Sequence, residues 1–72
     1  MDNEYLTLVD SYINDSKIST NEQTCLILGV IHACQNNYEL LEIQNIIKAS
    51  TIQNKDRILD TINMFIKNYI SK

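Results

Sequence analysis

Two cysteines and one histidine lie close together in the sequence, and these residue types could hold a metal ion or form a nucleophile and base. Cys25, His32 and Cys34 fall in the run TCLILGVIHAC, residues 24–34, which has helical periodicity. On a helix, Cys25 and Cys34 point in opposite directions and lie about 13 Å apart along the axis, beyond disulfide reach. Cys25 and His32 share a face, but about 10 Å separates them, too far to bind one ion. We therefore expect reduced cysteines, no metal and no cofactor.

The rest of the chain offers little for catalysis. His32 and the cysteine two positions later face different ways, so they do not form a nucleophile and its general base. The acid pairs Glu39/Glu42 and Asp56/Asp60 have spacings typical of a solvated helix surface, and no second ligand element faces them. A single glycine excludes a glycine-rich phosphate loop. We predict no catalytic residues and a protein that is not an enzyme.

The segment LLEIQNIIKASTIQNKDRILDTI, residues 40–62, superficially resembles a DNA-binding helix-turn-helix. Its second helix would carry polar residues that can read base edges, namely Gln53, Asn54, Lys55 and Arg57. The register argues against this reading, because positions that should be buried fall on Asn54 or Arg57, and the turn lacks its customary glycine. The net charge of −3 also disfavours phosphate binding. A small DNA-associated transcriptional regulator stays an alternative function.

The elements that position these residues are predicted to be helices. One glycine and no proline leave few residues suited to the tight turns of β-hairpins. We predict a single all-α domain over residues 1–72, a compact bundle of four short helices, or three if the last two are continuous. A chain this small buries only about 60% of the surface that it exposes when unfolded, so oligomerisation is a plausible aid to its stability.

Capping residues predict where the helices begin. Asp2 or Asn3 caps the first helix, and Ser19 with Glu22 forms a capping box for the second. Asn36 precedes the third helix in the same way, and we expect that helix to end near residue 49. Ser50 with Gln53 predicts the start of the fourth. The alternative is one helix over residues 37–70, although polar residues at 51 and 54 interrupt its apolar stripe.

The second helix is apolar on two sides, which is typical of a helix between neighbours. One arc, predicted to face the core, holds Leu26, Ile27, Val30, Ile31 and Cys34. Some residues fall outside the core arcs of their helices, and we predict that they contact a partner: Leu28, Leu41, Met64, Cys25, Gly29 and His32. The alternative is that the bundle packs the second helix on both sides, which would bury Leu28 internally.

Charge is distributed unevenly along the chain. Residues 1–42 contain seven acids and one base, a balance of −6, whereas residues 43–72 contain two acids and five bases, a balance of +3. The asymmetry favours either pairing between helices of the bundle or docking, head to tail or on a basic partner. The acidic start MDNEY is unlike a secretion signal, and the apolar run is too short to span a bilayer. We expect a cytoplasmic protein.

These observations predict a non-catalytic small helical protein that acts by stoichiometric protein–protein binding. Its size, helical layout and mixed charge are similar to those of small bacteriocin immunity proteins, which are antiparallel helical bundles. The abundance of Ile, Asn, Lys and Tyr is typical of low-GC bacteria and their phages. We therefore predict an inhibitor, immunity or regulatory factor from such a bacterium, its phage or a mobile element. A homodimer and a structural oligomer subunit are further alternatives, and no nucleic acid partner is expected.

Overall fold

The computed structural model describes the backbone of residues 3–70 and the side chains of residues 3–68. Its elements are α1 (Glu4–Asn14), α2 (Thr20–Ala33), α3 (Asn37–Ala49) and α4 (Lys55–Ile70). No strand occurs within residues 3–70, so the predicted all-α class is confirmed, and α3 and α4 are separate helices. None of the helices in this range is both long and apolar enough to cross a membrane.

Polar side chains cap the first three helices at residues that the sequence indicated. Asn3, Ser19 and Asn36 each accept a hydrogen bond from the backbone N–H three positions on, over 3.2, 3.1 and 3.0 Å. Those N–H groups have no partner within their own helix, so each cap stabilises the fold by about 1 kcal/mol. At α3 the Glu39 carboxylate also accepts a hydrogen bond from the backbone of Gln35, at 3.0 Å.

The fourth helix begins later than the sequence predicts. Ser50 does not cap α4; it follows α3, and its hydroxyl donates a hydrogen bond to the Ile47 carbonyl at 2.7 Å. The chain turns at Asn54, whose φ of 60° lies in the left-handed region that asparagine tolerates better than most residues. The prediction of a start at Ser50 with Gln53 was therefore wrong, because Ser50 serves the end of the preceding helix. α4 starts at Lys55.

The helices form two consecutive pairs that pack on each other. α1 lies against α2 and α3, and α4 lies against α3 and α2. On one side of α2, the Gln23 amide donates to the Tyr12 carbonyl of α1 at 3.1 Å. On the other side, the His32 ring contacts the Phe65 ring of α4. These neighbours explain why α2 is apolar on two sides.

The core draws on all four helices and on the residue that ends α2. Its buried apolar members are Val9, Ile27, Val30, Ile31, Cys34, Leu40, Ile43, Ile47, Ile58 and Ile62. Leu26 was expected among them, but 39% of it is exposed, and Leu8 of α1 is 43% exposed. Each lies about one turn from the Gln23–Tyr12 contact, at the outer edge of the α1–α2 pair. Helix periodicity places them on an apolar arc that the neighbouring helix covers only in part.

Candidate interaction surface

Four of the six predicted contact residues lie on one side of α2, the side on which it meets α4. We define the α2–α4 face by these residues: Cys25, Leu28, Gly29, His32, Phe65 and, at its edge, Met64. Cys25, Gly29 and His32 are exposed, whereas Leu28 is half-buried. Met64 is 61% exposed on the outward side of α4. From Thr24 to Ala33, α2 carries no acidic or basic residue other than His32, so its part of this face is poor in charge.

The structure separates Leu41 from the four predicted contact residues on α2. α3 meets α4 on the flank of Asn63, whose side chain accepts a hydrogen bond from Gln44 at 2.7 Å. Phe65, which meets α2, lies about 160° away around α4. Leu41 is 47% exposed on α3 and therefore belongs to a different side of the bundle.

Leu28 is the predicted contact residue that the bundle covers most. It packs against the core cluster, and the neighbouring His32 reaches Phe65 of α4 from the same side of α2. The packing of α2 on both sides, the alternative considered from the sequence, accounts for this placement. The exposed residues around Leu28 are what the α2–α4 face can offer to another molecule.

Gly29, the single glycine of the chain, lies in the middle of α2 and faces outward. A Cβ atom built at this position would have no atom within 4 Å. Its φ is not positive either, so neither packing nor backbone conformation requires glycine here. A glycine within a helix is about 1 kcal/mol less favourable than alanine. The folded chain itself provides no reason for this cost.

The cysteines occupy different environments. Cys25 is exposed, whereas Cys34 is buried. The Cys34 thiol donates a hydrogen bond to the Val30 carbonyl at 3.4 Å. Burial and, to a smaller extent, the Glu39 carboxylate raise the pKa of the Cys34 thiol from 9.0 to about 11. A thiol with a raised pKa is a poor nucleophile, because the thiolate is the reactive form. Within the part of the chain described, no three His, Cys, Asp or Glu residues group as metal ligands would.

The charged side chains that the structure describes form hydrogen bonds to neutral groups and no ion pairs with one another. Among residues 3–68, no acidic group comes within ion-pair distance of a basic group. Glu42 instead accepts a hydrogen bond from the neutral amide of Asn3 at 3.1 Å. Lys55 donates to the backbone carbonyls of Lys48 and Ser50 at 2.7 and 3.1 Å. Within residues 3–68 the acidic excess of the first two helices is therefore not offset by ion pairs with the basic residues of the last two.

An open groove of about 360 Å³ lies between α1 and α3, and the sequence analysis did not predict it. Leu6 of α1 and Glu42, Asn45, Ile46 and Ala49 of α3 line it. Small or polar residues at 42, 45 and 49 recur at the spacing of one helix side, which is a weak signal in the sequence. The groove itself depends on how α1 crosses α3.

Comparison with known proteins finds no matching family model, no matching curated protein and no matching solved structure.

Proposed function

We propose that this chain is a non-catalytic helical protein that acts by stoichiometric binding to another protein through the α2–α4 face. An inhibitor, immunity factor or small regulator of a low-GC bacterium or its phage acts in this way. Such a protein needs a stable bundle and an exposed patch for its partner, but no pocket with reactive groups. The patch proposed here is centred on Gly29 of α2 and flanked by His32 and Met64.

Gly29 is the observation that carries the proposal. The bundle would gain stability from alanine at this position, since open space surrounds it and its backbone is ordinary helix. A glycine becomes useful where another backbone must approach the helix closely. The exposed thiol of Cys25 and the half-buried Leu28 extend an uncharged surface on either side. Close approach by a partner accounts for all three residues.

The rival functions draw less support from the contacts. Two residues proposed to read DNA bases are engaged within the fold: Asn54 donates to the Thr24 hydroxyl at 3.1 Å, and Lys55 reaches the carbonyls at the end of α3. Cys34 is disfavoured as a nucleophile, because burial raises its pKa. The His32 ring packs edge-on against Phe65. Protein binding is the function that needs exposed, uncharged residues such as Cys25, Gly29 and Met64, and it requires no reactive group among them.

Affinity capture with two matched variants tests the proposal. Met64 and Leu41 are both large, exposed apolar residues. Met64 is next to Phe65 in the chain and lies about 100° from it around α4, whereas Leu41 is on α3. Wild type, Met64→Glu and Leu41→Glu are immobilised and exposed to a lysate of the native host, and the retained proteins are identified and quantified by mass spectrometry. We expect wild type and Leu41→Glu to retain one protein at a 1:1 ratio, and Met64→Glu to lose it.

Other outcomes would point elsewhere. If Leu41→Glu fails to retain the partner while Met64→Glu retains it, the partner contacts α3 and not the α2–α4 face. Salt-sensitive duplex binding without a protein partner would favour the DNA-associated regulator. Self-assembly of the purified chain that Met64→Glu abolishes, again with no partner retained, would favour a structural oligomer subunit. Circular dichroism melts of both variants establish that each is folded before the capture is interpreted.

A further inference from the structure

The groove between α1 and α3 is chemically different from the α2–α4 face. Along α3, its lining from Glu42 to Ala49 extends over about 10 Å, or two helical turns. Leu6 and Ile46 form an apolar floor, and both are half-buried and packed against the core. Ala49 leaves space at the far end. A groove of this length can receive an apolar side chain from one turn of a partner helix.

An acidic group stands at one end of this apolar floor. Glu42 lines one end, half-buried, and its carboxylate receives a hydrogen bond from the Asn3 amide. Asp10 is exposed one turn beyond Leu6 on the same side of α1, outside the residues that line the groove. No basic group pairs with either carboxylate among the described side chains. A cation placed at Glu42 would meet a partly desolvated charge, where attraction is stronger than at a fully exposed site.

We propose that this groove binds a basic amphipathic helical segment of a partner protein. One apolar side chain of the segment enters over Leu6, Ile46 and Ala49, and a lysine or arginine one turn away pairs with Glu42. The acidic excess of residues 1–42 then also attracts the segment from a distance. This contact is independent of the α2–α4 face, so a partner engaging both would meet an uncharged patch on one side of the bundle and the Glu42 carboxylate on another.

A peptide titration followed by NMR of the ¹⁵N-labelled protein tests the groove. The probe is a synthetic amphipathic peptide of about 15 residues, a length at which isolated helices begin to be stable, with leucine on one face and lysine elsewhere. The control peptide has glutamate in place of every lysine. We expect the lysine peptide to shift the amide signals of Leu6, Asn45, Ile46 and Ala49, and the glutamate peptide to leave them unchanged.

Two protein variants separate a specific groove from general electrostatic attraction. Glu42→Gln removes one negative charge yet keeps an acceptor for Asn3, and Glu22→Gln removes one charge from the exposed start of α2. We expect Glu42→Gln to weaken binding of the lysine peptide about fivefold, and Glu22→Gln to weaken it less than twofold. Ala49→Trp, which fills the groove and keeps every charge, should abolish the shifts while the variant still melts cooperatively.

Equal weakening by the two glutamine variants, or shifts spread over all acidic residues, would overturn the proposal. Shifts confined to the α2–α4 face would also overturn it. The titration uses no native partner and does not depend on Met64, whereas the capture experiment depends on both. The titration can therefore contradict the proposal for the groove while the capture experiment supports the proposed function, and the reverse outcome is equally distinguishable.

Discussion

The imidazole of His32 meets the ring of Phe65 edge to face, with ring centroids 4.9 Å apart and ring planes at 82°. This contact joins α2 to α4 at the surface of the bundle. Below it, Ile31 and Ile62 are buried in the core. The pair therefore lies at the outer side of the α2–α4 contact.

Truncation of Phe65 should destabilise the protein, but less than truncation of a fully buried residue. Phe65 is half-buried, so we expect Phe65→Ala to lower the free energy of unfolding by about 2–3 kcal/mol, below the usual cost for a buried Phe. Ile62→Ala, at a fully buried position, should cost about 3–4 kcal/mol. Urea unfolding measures both. A double-mutant cycle with His32→Ala should give a coupling of about 0.5–1.5 kcal/mol for the ring contact.

Leu28→Glu and Leu41→Glu should behave differently although each adds one negative charge. Leu28 packs against the core, so a carboxylate there is partly buried without a partner, and we expect a loss of about 2 kcal/mol or more. Leu41 is 47% exposed, and its replacement should change stability by less than about 0.5 kcal/mol. Thermal melts compare them. Similar melting temperatures for the two variants would show that Leu28 contributes nothing to the core.

Gly29→Ala should stabilise the free protein and weaken its complex. The added methyl group meets no atom within 4 Å, and alanine is the better helix former by about 1 kcal/mol. The melting temperature should therefore rise by several degrees. In the complex the same methyl group occupies the space of the approaching partner, so capture should fall. If a stabilised Gly29→Ala variant captures the partner as well as wild type does, Gly29 is not part of the contact surface.

Thiol labelling should distinguish the two cysteines. Since the pKa of Cys34 is about 11 against an ordinary 9.0, its thiolate fraction at pH 8 is about a hundredfold below that of an unperturbed thiol. Cys25, which is exposed, should react with a maleimide faster than the buried Cys34. Single variants Cys25→Ser and Cys34→Ser assign the two phases. Comparable rates in the folded protein would mean that Cys34 is not shielded.

The same pKa shift sets the sign of a stability change at high pH. The folded protein keeps the Cys34 proton up to about pH 11, whereas the unfolded chain loses it near pH 9. The effect on stability is absent below pH 9, and unfolding becomes easier as the pH rises from 9 towards 11. Cys34→Ser removes this slope, which urea unfolding at a series of pH values measures.

Local features of the sequence determined the helical class and most helix boundaries. Asn3, Ser19 and Asn36 bond to backbone N–H groups three positions on, and such short-range contacts do not depend on the rest of the fold. Helix geometry alone also indicated that Cys25 and Cys34 point in opposite directions; Cys25 is exposed on α2, and Cys34, which caps the end of α2, is buried. The polar residue Ser50 was misread because a hydroxyl can serve either the helix before it or the helix after it.

Tertiary structure decided which apolar side chains are covered and where grooves form. Periodicity placed Leu26 and Leu28 on two different arcs of α2, but only the positions of α1 and α4 determine that Leu26 is 39% exposed while Leu28 packs against the core. The α1–α3 groove brings Leu6 beside Ile46, forty positions later in the chain. No local pattern encodes such a contact, because the periodicity of one helix does not specify which other helix covers each of its faces. The burial of each face depends on how separate helices pack.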